Sequence, residues 1–326
     1  MPYLAISQQV ACVVLKQFEA VDEKTGFVFG GNVHNCGTWM DKMGSSEKAG
    51  NKGHPATPRD GAAVEIQGLC YAMVSWLAEL HSTGKFAHSG VSRKSKNGDS
   101  LISLSYGQWA QLLRENFEPY FFVSPVAKNL SNVHNPKPEL VNRVNIVKDT
   151  VGATNGWPDY QLRPNFAIAL TVAPGLMQPD NAWKAVSIAE EALKGPLGMK
   201  TLDPSDYNYD GFYNNDDDSS EWKRAKGQNY HCGPEWVWVM GYFLRAQLAT
   251  AWRLKKSRPE VWPRALFSVK TALAAHWTHL QNCPWRSLPE LTNKDGAFCQ
   301  GSCRAQAWSV GCILEVLADL DKYGDK

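Results

Sequence analysis

The chain has 326 residues, of which 34 are Lys or Arg and 32 are Asp or Glu, for a formal net charge of +2. Its length allows one large domain or two ordinary ones, and an apolar content of 44% excludes a disordered chain. A near-neutral charge creates no field that attracts nucleic acid or an anionic membrane, so we expect neither partner. The chain opens without a signal peptide and has no apolar run near the roughly 20 residues of a membrane span, so we expect a cytoplasmic protein.

Apolar residues recur at helical spacing along most of the chain. The clearest start signal is Thr57 as an N-cap with Pro58 at the first helical position. Further helices are predicted over Ala5–Ala20, Ser103–Tyr120, Arg163–Ala173, Asn181–Leu193, Pro234–Lys255, Glu260–His279 and Gln306–Lys322, with a weaker one over Pro138–Lys148. Long polar loops such as Thr25–Ala56 separate them, and the sole strand signal is a small hairpin at Gly26–Gly30. This order predicts an all-α fold, either a toroid of paired helices or a bundle with long loops.

The eight cysteines are scattered, and a chain of this length needs no disulfides for stability, so we predict reduced, mostly buried thiols. Cys299 and Cys303 have the spacing of half a zinc site, but no second ligand pair accompanies them. His231 and Glu235 are four residues apart, as in a zinc-binding helix, but Pro234 breaks a helix between them. We therefore predict no metal and no cofactor.

Two carboxylates lie on loops of an aromatic-rich chain. Asp41 follows Trp39 in the glycine-bounded loop CGTWMDKMG, and Glu290 follows a proline in the segment LPELTN. Each alone is equally consistent with an ordinary turn or capping residue. Together they suit glycoside hydrolysis, in which one carboxyl group protonates the leaving oxygen and the other activates water or attacks carbon. The sequence has no nucleophile-elbow serine motif and no phosphate-binding loop that would favour another chemistry.

Polar side chains near helix starts extend this candidate site. Arg59 and Asp60 come just before Glu65, and Asp60 also suits the N-terminus of the predicted helix. Asn165 opens a later helix, and its amide can both donate and accept toward sugar hydroxyls. The segment YHCGPEWVW adds three further candidates, namely His231, Glu235 and Trp236. These positions predict a pocket of charged, amide and aromatic groups.

These segments resemble the C-terminal glucosidase domain of the eukaryotic glycogen debranching enzyme family. The similarity extends to GGN at 30–32, PATPRDGAAVEI at 55–66, LRPNFA at 162–167, GMKTLDP at 198–204 and QAWS at 306–309. The segments occur in the family's order and cover residues 22–326, which leaves 1–21 as an unmatched N-terminal segment. The resemblance implies an (α/α) toroid of the six-hairpin glycosidase type. It also implies hydrolysis of α-1,6-linked glucose at the branch points of glycogen or a limit dextrin, with inversion at the anomeric carbon.

The same resemblance implies roles for individual residues. Asp41 matches the family's general acid and Glu290 its general base, and an inverting site holds such groups about 6.5–9.5 Å apart. The residues that match the family's other motifs, and are expected to line the sugar pocket, are Trp39, Arg59, Asp60, Glu65, Asn165, His231, Glu235 and Trp236.

The pattern supplies too few helices for a closed ring. We therefore expect a toroid that is open on its N-terminal side, with apolar helix faces covered by a missing N-terminal segment or by another chain. No trace of the family's separate glucanotransferase barrel is present, so we expect no transferase activity. Two alternatives remain: a non-catalytic, vestigial glucan-binding fragment, and a helical scaffold without a ligand.

Overall fold

The computed structural model describes residues 20–95, 100–128, 134 and 137–324. Seven α-helices in these ranges carry the core, which confirms a helix-dominated fold. They are α1 Val64–Ser82, α2 Tyr106–Phe121, α3 Phe166–Val172, α4 Pro179–Leu193, α5 Val237–Leu254, α6 Val261–Asn282 and α7 Ala307–Gly324. The helix predicted over Ala5–Ala20 falls outside the described residues, except for Ala20.

Short strands connect the helices. Those in the described ranges are β1 Ala62–Ala63, β2 Gly90–Lys94, β3 Leu101–Ser105, β4 Phe122–Val123, β5 Ile146–Val147, β6 Thr150–Val151, β7 Met199–Lys200, β8 Glu235–Trp236 and β9 Leu291–Thr292. All pairs are antiparallel: β1 with β6, β2 with β3, β4 with β5, and β8 between β7 and β9. Most of these strands have two residues, too few to show the alternating pattern that marks a strand in sequence.

The prediction of helix α1 was wrong at its start. The N-cap is Ala63, not Thr57, and the Thr57 hydroxyl instead donates to the Met40 carbonyl at 2.6 Å. Gly61 has a φ of +96°, and β1 then pairs with β6 before the helix begins. The pattern of Thr, Pro and Asp therefore marks a buried turn that attaches the Asp41 loop to the helix.

Two further local predictions were wrong. Pro138–Lys148 forms only the short 3₁₀ turn Pro138–Leu140 before β5, because Ile146 and Val147 pair with β4. The hairpin predicted at Gly26–Gly30 is replaced by single bridges, in which Val28 pairs with Val21 and Gly30 with Gly61. The hairpin of β2 and β3 was not predicted at all.

Helix α5 is the centre of the core. Most of its side chains are buried, and it packs against α3, α4, α6 and α7. Gly241 permits the closest of these approaches, because a Cβ there would lie 2.4 Å from the carbonyl oxygen of Cys312 on α7. Gly68 of α1 allows a similar approach to Ala169 of α3. Small residues at these crossings bring the helices close and fix the loops at their ends.

The cysteines were predicted to be reduced and mostly buried, and their burial differs from that prediction. The seven cysteines in the described ranges are all free, but only Cys70, Cys232 and Cys299 are buried. The prediction of mostly buried thiols was therefore wrong. Cys303 is exposed because it lies on the loop that follows β9.

Large apolar side chains remain at the surface of three helices. They include Leu69 and Trp76 on α1, Phe267 and Trp277 on α6, and Trp308, Leu314 and Leu317 on α7. This exposure agrees with the expectation of uncovered helix faces. None of the helices in the described ranges is both long and apolar enough to cross a membrane.

Candidate active site

The three-stranded sheet positions Glu290. This residue directly precedes β9, and its carbonyl accepts a hydrogen bond from the Val237 amide at the start of α5 at 3.1 Å. Its own amide donates to the Cys303 carbonyl at 2.8 Å. Glu290 is therefore held on both sides of its backbone, and its half-buried side chain projects from a fixed strand end.

The two carboxylate oxygens of Glu290 have different surroundings. Oε1 accepts a hydrogen bond from the Tyr230 hydroxyl at 2.8 Å and a longer one from Gln306 Nε2 at 3.4 Å. Oε2 has only a long contact of 3.4 Å with the Cys303 amide. Because a carboxylate oxygen has two lone-pair directions, Oε2 keeps most of its accepting capacity for another donor.

Asp41 lies on a loop whose neighbouring residues are firmly held. Trp39 donates from Nε1 to Asn165 Oδ1 at 2.9 Å, and Thr38 Oγ1 accepts from Arg59 Nη1 at 2.9 Å. The Asp41 side chain itself is exposed, and its carboxylate has no hydrogen-bond partner among the residues that the structure describes. The loop is thus fixed while its carboxylate remains open to a ligand.

Tyr230 binds one of the two carboxylates, that of Glu290. Burial raises the pKa of its hydroxyl well above the ordinary value, as do the hydrogen bond to Glu290 and the charges of Glu290, Tyr213 and Asp41. The hydroxyl therefore stays protonated and donates to Glu290. The neighbouring Tyr213 lies 4.7 Å from Tyr230 between ring centroids, and burial raises its pKa to about 12, with a further contribution from the charge of Glu290.

A cluster of aromatic rings adjoins these groups. The Trp39 ring lies 5.0 Å from His231, 5.2 Å from Trp236 and 4.8 Å from Trp238, with edge-to-face geometry. Trp238 stacks at 3.9 Å on Trp308, which is 46% exposed. Edge-to-face packing favours a rigid arrangement of large rings. The cluster therefore forms a rigid apolar wall beside the Asp41 loop.

A buried charge cluster lies beneath the Asp41 loop. Arg59 binds both oxygens of Glu65 at 2.6 Å and binds Asp149 through Nε at 2.5 Å. Arg163 lies 3.7 Å from the same Asp149, so two cations face two carboxylates and the cluster is neutral. Asp149 also accepts from Asn165 Nδ2 at 2.8 Å. Because Asn165 accepts from Trp39, the cluster orients the Asp41 loop through a continuous chain of hydrogen bonds.

Glu235 and Asp60 hold neighbouring loops. Glu235 is fully buried, and its oxygens accept from the amides of Asp295 at 2.9 Å and Gly296 at 3.0 Å. Asp60 accepts from the amide and hydroxyl of Thr154 through Oδ2, while its buried Oδ1 has no partner in the described residues. Glu235 thereby fixes the loop after β9, and Asp60 fixes the loop after β6.

The predicted site residues fall into two groups, those that reach the surface and those that are buried. Only Asp41, Trp39 and Glu290 reach the surface. The buried ones are Arg59, Asp60, Glu65, Asn165, His231, Glu235 and Trp236. Sequence reasoning missed Asp149 and Tyr213, and it did not single out Tyr230 or Gln306 although it quoted the segments that contain them. The positions of these residues in the chain, relative to Asp41 and Glu290, do not indicate that they contribute to the same site in the fold.

His231 makes the stability of the site dependent on pH. Burial lowers the pKa of its ring well below the ordinary value, and the charges of Arg163, Arg59 and Lys42 lower it further. The ring therefore stays neutral in the folded state at pH values below about 6.5, at which the same histidine is protonated in the unfolded chain. Stability is lost as the pH falls through that value, by about 1.4 kcal/mol per pH unit.

We expect His231→Phe to remove this loss while keeping the ring packing. Urea unfolding between pH 7 and 5 should give the wild type a mean slope steeper than that of the variant by about 1 kcal/mol per pH unit, rising toward about 1.4 kcal/mol per pH unit at the acid end. His34→Asn, a change at an exposed histidine, should keep the wild-type slope. Equal slopes for wild type and His231→Phe would contradict a buried, neutral ring.

The residues described hold no group of three or more His, Cys, Asp or Glu side chains arranged to bind a metal ion. The site instead combines an accessible carboxylate, a half-buried carboxylate and stacked aromatic rings, which are the groups of a glycosidase-type site. The chain belongs to the amylo-alpha-1,6-glucosidase family, whose model matches residues 12–315.

A relative and a solved structure give the wider comparison. The chain is 46% identical over 312 residues to the glycogen debranching enzyme of Saccharomyces cerevisiae, a match that covers 94% of this chain and 20% of the relative. The chain thus spans about a fifth of the length of the curated relative that it matches. Among solved structures, neutral trehalase from Saccharomyces cerevisiae is 11% identical with a TM-score of 0.39, covering 84% of this chain and 40% of the trehalase chain.

Proposed function

We propose that the chain hydrolyses α-1,6-linked glucose at the branch points of glycogen or a limit dextrin, with inversion at the anomeric carbon. The observation that carries this proposal is a continuous aromatic cluster between the two carboxylates. The Tyr230 hydroxyl binds Glu290, and its ring packs against Trp236, which packs against Trp39 of the Asp41 loop. Membership of the amylo-alpha-1,6-glucosidase family supports the same reaction and linkage.

Asp41 is the general acid in this proposal. Its exposed side chain donates a proton to the glycosidic oxygen as the bond to the anomeric carbon breaks. Glu290 is the general base, and its lightly bonded Oε2 accepts a proton from the water that attacks the opposite face of the sugar. Tyr230 keeps Oε1 occupied, so that a single oxygen of the base faces the water. The products are free glucose and a glucan that has lost its branch stub.

The aromatic cluster holds the glucosyl ring. Trp39 is half-buried beside Asp41, so its exposed portion is placed to contact the apolar face of a sugar. The buried members of the predicted site support this surface from behind. Arg59, Glu65 and Asn165 act through the hydrogen bonds to Thr38 and Trp39. A neutral polymer suits a chain whose formal net charge is only +2.

The finer fold assignment belongs to the same proposal. We place residues 22–326 in one domain built as an (α/α) toroid of the six-hairpin glycosidase type, with the loops that carry Asp41 and Glu290 at one end. The uncovered apolar faces of α1, α6 and α7 support a ring that is open in this chain. A cytoplasmic location and a covering segment or partner chain stay predictions.

A dextrin that carries single α-1,6-linked glucosyl stubs tests the proposal. The purified chain should release glucose from it, and proton NMR should detect the β anomer first, since inversion converts the α linkage. Maltose, in which the linkage is α-1,4, should release at least about tenfold less glucose under the same conditions. First appearance of the α anomer would contradict the inverting mechanism.

The second candidate function is binding of glucan without hydrolysis. The exposed Trp308 favours it, because its ring stacks on Trp238 of the aromatic cluster and can hold a sugar face without any chemistry. A folded chain that binds the stubbed dextrin but releases no glucose would establish this second function and overturn the first.

A further inference from the structure

Two adjoining cavities lie on the surface formed by the 3₁₀ turn Trp157–Tyr160 and the loops that face it. The first, of about 230 Å³, is lined in part by His54, Asn155, Trp157, Asn208, Trp222 and Gln228. The second, of about 350 Å³, is lined in part by Arg143, Trp157, Tyr160, Asp203, Tyr207 and Asn208. Because Trp157 and Asn208 line both, the cavities form one elongated depression, which we call the Trp157 groove. Neither Asp41 nor Glu290 lines it.

The groove combines aromatic rings with amides that are free to bond. Trp222 is 42% exposed and Tyr207 is 84% exposed, so both offer ring faces to a ligand. The side-chain amides of Asn155 and Asn208 have no hydrogen-bond partner among the described residues. Gln228 donates from Nε2 to the His54 carbonyl at 3.3 Å, but its buried Oε1 has no partner there. A buried acceptor without a donor is costly unless a ligand or water completes it.

The formal charges that line the groove sum to zero. Arg143 pairs with Asp203. The Lys223 ammonium covers one face of the Tyr207 ring, 3.3 Å above its centroid, and Asp206 accepts from Gln161 Nε2 at 3.0 Å. The groove therefore has no net charge of the kind that selects an anion or a cation. Its free groups suit an uncharged, hydroxyl-rich and elongated ligand.

The groove and the aromatic cluster are neighbours in the fold. Cys232 lines the groove and donates from Sγ to the Ala56 carbonyl at 3.7 Å, while the adjacent His231 packs at 5.0 Å from Trp39. A chain bound in the groove would thus lie near the Asp41 loop without contacting Asp41, which does not line the groove. This placement suits a glucan segment other than the one that is cleaved.

We propose that the Trp157 groove is a second, non-catalytic binding site for a linear α-1,4-glucan chain. The choice of glucan rests on the proposed function, whereas the neutral, elongated character of the ligand rests on the groove alone. Rings of Trp157, Trp222 and Tyr207 stack against successive sugar faces, and the amides of Asn155 and Asn208 bond their hydroxyls. Such a site holds a branched polymer by one chain while a neighbouring stub is hydrolysed.

Maltoheptaose, which lacks an α-1,6 linkage, tests the groove by isothermal titration calorimetry on the 326-residue chain. The double change Trp222→Ala with Asn208→Ala should weaken its binding at least about tenfold, which corresponds to 1.4 kcal/mol. Trp277→Ala, a change at a 63% exposed tryptophan on α6 outside the groove, should bind like the wild type. Asp41→Asn should also bind like the wild type, because Asp41 does not line the groove.

Unchanged maltoheptaose affinity in the double variant would overturn the groove as a glucan site. No maltoheptaose binding by the wild type would overturn it as well. Failure of glucose release from the stubbed dextrin, with groove-dependent maltoheptaose binding intact, would instead overturn the proposed hydrolysis and leave the groove standing.

Discussion

Replacing Glu290 by Gln should lower the turnover of a stubbed dextrin about 10²–10⁴-fold, since general acid–base catalysis contributes an effect of that size and the amide cannot accept the proton of water. Asp41→Asn should cause a loss of similar size, because the amide cannot donate a proton to the leaving oxygen. Both changes keep the shape of the side chain. Glucan affinity should therefore stay within a few-fold of the wild type.

Glu315→Gln is the matched control for the Glu290 variant. Glu315 lies on α7, is exposed and pairs with Arg245, so the same chemical change there should leave turnover unchanged. Initial rates of glucose release and calorimetric binding, measured on all four proteins, separate lost chemistry from lost binding. More than a tenth of wild-type turnover in Glu290→Gln would exclude Glu290 as the general base.

Replacing Arg59 by Met should lower the stability of the chain by about 3–5 kcal/mol, because it leaves Glu65 and Asp149 buried without their main cation. Burial alone would lower the pKa of the Arg59 guanidinium, but Asp149 and Glu65 raise it above the ordinary value. The charged form therefore depends on these two carboxylates, as they depend on it. Urea unfolding measures the loss.

Arg59→Lys provides a second measurement if the Met variant does not fold. An ammonium keeps the charge but cannot bind two carboxylates in the planar, bidentate geometry of Arg59, so we expect it to be clearly less stable than the wild type. Arg258→Met, which breaks two exposed ion pairs with Asp180 and Glu260, should change stability little. If Arg59→Lys were as stable as the wild type and as Arg258→Met, the role of the buried cluster would be contradicted.

Sequence predicts the helices well where their apolar stripe is long. The predictions for α4, α5, α6 and α7 each lie within three residues of the observed bounds, because those helices bury a continuous face in the core. The prediction for the start of α1 fails because the polar groups of Thr57 and Arg59 bind other partners. Thr57 bonds the Met40 carbonyl, and Arg59 binds Glu65 and Asp149, so Thr57 does not cap a helix. Tertiary contacts between distant segments determine the backbone conformation of that turn.

The candidate site, like the fold, could be predicted from the sequence only in part. Motifs indicate the loop carboxylates Asp41 and Glu290, since such groups beside aromatic residues suggest chemistry on the sequence alone. The partnership of Arg59 with Asp149 spans 90 residues, and that of Tyr230 with Glu290 spans 60. No local pattern encodes contacts of that range. The buried support of the site therefore becomes visible only when the chain is folded.

A crystal structure of Glu290→Gln with a bound stubbed dextrin tests the central claim most directly. We predict that the glucosyl stub lies against Trp39, with its glycosidic oxygen within hydrogen-bond reach of Asp41. A water on the opposite face of the anomeric carbon should contact Gln at position 290. A glucosyl stub bound away from both side chains, or with Asp41 and position 290 on the same face of the ring, would contradict the account.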